Sequence, residues 1–150
     1  MLTLICTFIF QSSVEFRPKS RIEIYYHVVQ ASLCSWENQQ SSISKSMLIN
    51  VLIDLAMYLH LRSPSGLIDG FDMKQLCCLT LRRQGLSNNR TKLREYAEEL
   101  VLLLNFNVGI VAERSLQVFG FLHLSFQEYF VAQSFVRGSS IEDIVSYWMD

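Results

Sequence analysis

The sequence predicts a mainly α fold, a helical subdomain followed by a second helical unit carrying one short β-hairpin. Three observations predict it. Apolar residues recur at helical spacing in several separate runs, some of them preceded by a residue that caps helices. Two short β-type runs, 108–112 and 118–122, are joined by Glu113-Arg114-Ser115-Leu116. A Ser-x-x-Glu pattern, Ser125 to Glu128, opens a further helix directly after the second run. At 150 residues and 50% hydrophobic, the chain suffices for one compact core or two small subdomains. With 12% aromatic residues and 2 prolines, disorder is not expected.

Residues 1–10 are an apolar run. It is far shorter than the roughly 20 residues that span a bilayer and lacks the basic start of a secretory signal, so a buried helix is expected and no membrane span. A signal peptide is the alternative, and would leave a mature protein beginning near Ser13. Pro18 and Ser20 start the next helix, with Ser20 and Glu23 as a capping box and Ile22, Tyr26, Val29, Leu33 and Trp36 on one face. The polar residues 38–42 end it. From Lys45, Leu48, Val51, Leu52, Leu55, Ala56 and Leu59 form a second stripe that stops before Ser63-Pro64-Ser65-Gly66, a turn by composition. Asp72 and Gln75 are read as the cap of a third helix with Leu76, Cys77 and Leu79 inward, and Gly85 as its left-handed end. A fourth helix from Thr91 carries Leu93, Tyr96, Ala97, Leu100, Val101 and Leu104 on one face.

After the hairpin, the Ser125–Glu128 capping box starts a helix at Phe126, with Leu124 and Tyr129 placed for a hydrophobic staple. A final segment, capped by Ser140 and carrying Ile141, Ile144, Val145 and Trp148, reads as the start of a following helical region. Helix, helix, β-hairpin, helix is the order of a winged helix. The expected organisation is a helical subdomain over 1–45, incomplete at its N-terminus, a winged-helix subdomain over 46–137 and a following helical region over 138–150. No internal repeat occurs.

The net charge of −1 argues against a general polyanion binder. A mean hydropathy of +0.22 is high for a domain of this size and implies apolar surface that packs against partner domains. Cys6, Cys34, Cys77 and Cys78 lack Cys-x-x-Cys spacing, and His27, His60 and His123 are scattered singly. No metal site is expected, and the thiols read as reduced in a cytoplasmic protein. No nucleophile with an adjacent base emerges among the cysteines, and spacing selects no pair among Asp54, Asp69 and Asp72, so no catalytic residue is assigned. Arg82, Arg83, Arg90, Lys92 and Arg94 form a basic cluster that is read as a solvated face. DNA binding, the rival for a winged helix, is opposed by Glu95, Glu98 and Glu99 on the same helix.

His123 stands just ahead of the last well-marked helix, where the positive end of the helix dipole favours anions. The capping box already uses part of the free N–H set, and the imidazole supplies a further donor. A purely structural reading, in which His123 closes a strand end on the face shared by Phe119 and Phe121, stays open beside it.

The stretch Phe121-Leu122-His123-Leu124-Ser125-Phe126-Gln127-Glu128-Tyr129-Phe130-Val131-Ala132 resembles the end of the winged-helix subdomain in NACHT proteins, the nucleotide-switched ATPases that include the NOD-like receptors. Leu2-Thr3-Leu4-Ile5-Cys6 and Pro18-Lys19-Ser20-Arg21-Ile22-Glu23-Ile24-Tyr25 resemble that family's preceding apolar helix and helix start, in the family's order and spacing. Residues 39–118 match in helical character more than in sequence. The resemblance implies that His123 touches the β-phosphate of bound ADP and holds the module closed. It implies ATP or ADP as ligand only in the complete module, a nucleotide-binding domain and neighbouring domains as partners, self-oligomerisation on opening, and a role in innate immune or stress signalling. The Gly-x-x-x-x-Gly-Lys-Ser/Thr loop and the acidic strand end that serve the family's ATPase activity do not occur in these residues. The family's proline before the apolar helix would fall ahead of Met1. The chain therefore reads as the lid half of such a module and not as an enzyme in itself. A standalone winged-helix module binding protein or DNA is the alternative.

Overall fold

Apolar stripes at helical spacing become five helices among the described residues, which in the computed structural model are 19–37 and 41–138, the side chains of 35–37 and 106–107 excepted. In chain order these are α1 (Arg21–Glu37), α2 (Lys45–Arg62), a two-residue strand β1 (Ile68–Asp69), α3 (Gly70–Arg83), α4 (Arg90–Leu103), a π-helical turn (Leu104–Val108), the hairpin strands β2 (Val111–Ser115) and β3 (Val118–Phe121), and α5 (Leu124–Val136). The expectations for residues 1–10, Cys6, Pro18, the Trp36 side chain, residues 38–40 and the segment from Ser140 lie outside the described residues.

The architecture is mainly helical with a small antiparallel sheet, in the strand order β1-β3-β2. From α2 onward the elements run in winged-helix order, with the hairpin as the wing. The third strand was not expected. β1 is too short to show a period of its own, and it exists because β3 pairs with it, Ile68 opposite Phe119 and Asp69 opposite Val118. Gly120 permits the close approach: a Cβ there would lie 2.8 Å from the Gly66 carbonyl oxygen and 3.0 Å from Leu67 Cδ2.

The second stripe is buried as expected, with Leu48, Val51, Leu52, Leu55, Ala56 and Leu59 in the core. So are Leu93, Ala97, Leu100, Val101 and Leu104, in the same cluster. Val29 and Leu33 of α1 join the same buried cluster. Two expected inward positions of α1 face out instead, Ile22 and Tyr26. Tyr25 and Val28 pack there in their place, Tyr25 edge-on to Phe126 at 5.7 Å. Leu79, expected inward on α3, is partly exposed, whereas Met73, Leu76, Cys77 and Leu81 are buried.

Four helix starts are closed by a side chain. Ser20 Oγ accepts from Glu23 N at 3.3 Å, one half of the expected box, while the Glu23 carboxylate takes Lys19 N at 2.6 Å. Ser44 Oγ accepts from Met47 N, Asp69 Oδ1 from Asp72 N at 2.9 Å, and Asn89 Oδ1 from Thr91 N and Lys92 N. The α3 cap is thus Asp69, three residues earlier than the expected Asp72, because β1 delivers the chain in extended backbone at that point. Gly85 holds φ +77° as expected, and Leu86 N donates to Leu81 O, the bond that closes such a helix end.

Candidate functional site: the start of α5

α5 begins differently from the other four. The expected Ser125–Glu128 box does not form: the helix starts at Leu124, Ser125 is already inside it, and His123 occupies the cap position in extended backbone (φ −140°, ψ 141°) with no side-chain capping bond. The expected staple fails with it, because Leu124 lies within the helix and is 64% exposed. The cause lies upstream. Leu122 N donates to Ile110 O at 2.8 Å, and β3 ends at Phe121, so the chain turns into the helix before Ser125 is reached.

The hairpin fixes this junction. β2 carries a bulge between Glu113 and Ser115, which leaves Arg114 outside the pairing register. Its guanidinium donates to Phe121 O at 2.8 Å and Leu122 O at 2.7 Å, the two carbonyls immediately before His123. At the tip, Gln117 adopts φ +57°, and its N–H donates to the Glu113 carboxylate at 2.7 Å. On the other side Phe126 and Phe130 are buried, with Phe130 5.8 Å from Phe121 and edge-on to Tyr129 at 5.3 Å. Burial pushes the Tyr129 phenol above its ordinary range. Phe126 and Phe130 therefore pack in the core as expected, whereas Tyr129 packs on Phe130 without the staple and Glu128, exposed, is released from the capping role.

His123 is exposed. Among the described residues its ring makes no hydrogen bond or ion pair. It sits at the positive end of a thirteen-residue helix whose first amides no side chain takes, beside the Arg114 cation. Such an arrangement favours an anion. A groove of about 630 Å³ opens next to it, walled by His60, Ser63, Arg114, Leu124 and Gln127 among others; His123 is not part of that wall.

The other expected features separate. Among the described residues no group of three or more His, Cys, Asp and Glu is placed to hold a metal, and no helix is long and apolar enough to cross a membrane. Cys77 is fully enclosed and its thiol is pushed far up by that burial, the opposite of an activated nucleophile. Spacing selected no partner for Asp54, yet the fold supplies two. Thr80 Oγ1 donates to it at 2.6 Å and Arg83 pairs with it at 2.5 Å. Burial, the largest influence, still holds its carboxyl above the ordinary 3.8 against both. A single acidic residue inside an apolar stripe was the available signal for this buried bridge between α2 and α3.

Compared with protein-family models, with curated proteins and with solved structures, the chain matches none.

Proposed function

We propose that this chain is the regulatory lid of a NACHT-type nucleotide switch in the cytoplasm, closing over ADP held by a nucleotide-binding domain and controlling oligomerisation. The reading rests on the resemblance of residues 121–132 to the family's winged-helix motif. The single observation that supports it is the start of α5, an exposed His123 at a helix end that no side chain closes. That end is more open to a phosphate than a capping box would have left it.

On this reading the chain carries no chemical step of its own. It binds no metal, and its contribution is differential: the closed state gains a histidine–phosphate hydrogen bond that the open state lacks, and only such a difference moves the balance. A charge-assisted bond of this kind contributes about 1.5 to 3 kcal/mol, or about ten- to a hundredfold in populations.

The test is made in the protein together with its nucleotide-binding domain. His123→Leu is expected to accelerate release of a fluorescent ADP analogue by that factor and to raise the oligomeric fraction. An unchanged release rate removes the assignment of His123.

A further inference from the structure

The five basic residues 82–94, read as one solvated face, separate in the fold. Arg83 turns to the buried Asp54. Arg82, Arg90 and Arg94 line one groove of about 330 Å³ between α3 and α4, over a floor that includes Cys78, Leu79 and Leu93. Lys92 is not part of its lining.

The convergence follows from helical geometry. Gln75, Cys78, Leu79 and Arg82 are spaced at three, four and seven residues along α3, and Arg90 and Arg94 are one turn apart on α4, so each set shares a face. α3 and α4 pack against each other with those faces adjacent, Cys78 Sγ reaching Leu93 O at 3.4 Å. All three arginines are exposed, and among the described residues none of their guanidiniums makes a hydrogen bond or an ion pair. The carboxylate one turn further on the same face of α4, Glu98, faces Lys74 at 3.9 Å. Three like charges held around a small concavity repel one another, and an anion entering it relieves that repulsion.

We propose that the α3–α4 groove is a binding site for small phosphate esters or anhydrides carrying two adjacent phosphates, held by Arg82, Arg90 and Arg94. Charge selects the class. One phosphate carries about −1.5 to −2 near neutral pH and leaves part of a triply cationic site uncompensated, whereas two adjacent phosphates neutralise it. Guanidinium forks match phosphate oxygens in pairs. A groove of this size admits a compact diphosphate and excludes a duplex from its floor. The site shares no lining residue with the His123 end and does not depend on the nucleotide-switch reading.

Inorganic pyrophosphate is the probe, titrated into the whole chain by calorimetry. Saturable binding is expected, weakened about tenfold by either Arg90→Gln or Arg94→Gln and lost in the triple variant that adds Arg82→Gln. The melting temperature of these variants should not fall below the wild-type value, since among the described residues the removed guanidiniums make no hydrogen bond or ion pair and their mutual repulsion is relieved. Lys92→Gln is expected to leave the affinity unchanged. Sedimentation with phosphatidylcholine vesicles containing phosphatidylinositol bisphosphate distinguishes the sources: pyrophosphate-sensitive co-sedimentation assigns a lipid headgroup, and its absence assigns a free diphosphate. No pyrophosphate binding, equal weakening by Lys92→Gln, or duplex DNA binding that the triple variant abolishes and pyrophosphate does not displace would each overturn the proposal.

Discussion

The starts of α1 to α4 and the start of α5 solve the same problem in opposite ways. Ser20, Ser44, Asp69 and Asn89 each offer a side-chain oxygen to the first-turn amides, which would otherwise be left without partners. α5 has a histidine in that position and no such bond. An imidazole is a poor substitute for a short oxygen acceptor at this site, so the helix end remains a donor surface open to solvent. Among the described residues the chain closes four of its five helix starts with a side-chain oxygen. The end it leaves open is the one that the family resemblance associates with phosphate.

That contrast can be broken from the strand side, where the largest change is expected. Gly120→Ala places a methyl group 2.8 Å from the Gly66 carbonyl oxygen, a backbone neighbour that cannot swing aside. A loss of about 1–3 kcal/mol is expected, read as a fall in the denaturation midpoint, with β1 pulled from β3 and the His123 junction loosened. A pH scan separates the closed interior from the open end. The Cys77 thiol is held above its ordinary 9.0 by burial, so the folded state keeps a proton that the unfolded state releases. Its contribution is complete below pH 9 and is lost as the pH rises beyond it, by about 1.4 kcal/mol per unit. Cys77→Ala should lower the stability at neutral pH yet flatten the alkaline slope.

Smaller effects sharpen the comparison directly. Asp69→Ala and Asn89→Ala each remove a cap and should cost about 1 kcal/mol. His123→Asp, in contrast, supplies a missing cap and should stabilise the chain by somewhat less than about 1 kcal/mol. A stabilising substitution at this position, set against destabilising ones at the matching positions of α3 and α4, is a signature that only an open helix end produces.

How far the sequence was legible follows the range of the interactions. The stripe from Leu48 to Leu59 and the left-handed Gly85 are local, and both stand as expected. β1 depends on a partner about 50 residues away in the chain and on the missing Cβ of Gly120, and no period in two residues announces it. Ser125 and Glu128 carried a sound local pattern, but the bond from Leu122 N to Ile110 O turned the chain into the helix early and moved the cap to His123. A capping pattern is a local preference of about 1 kcal/mol, and tertiary pairing at the hairpin outweighs it. The split of the basic cluster likewise needed the packing of α3 on α4. Proximity in sequence joined all five basic residues in one cluster, but did not show that Arg82, Arg90 and Arg94 face one groove or that Arg83 leaves it for Asp54.

The most direct test of the central claim pairs two readings on one substitution. His123→Asp is made in the protein together with the nucleotide-binding domain proposed for it, for ADP release, and in the present chain for thermal stability. The account predicts opposite signs, a more stable chain and faster loss of ADP, because the aspartate closes the helix end and repels the phosphate that the histidine receives. A more stable chain with unchanged ADP release would contradict it, leaving His123 as the residue that precedes α5 and nothing more.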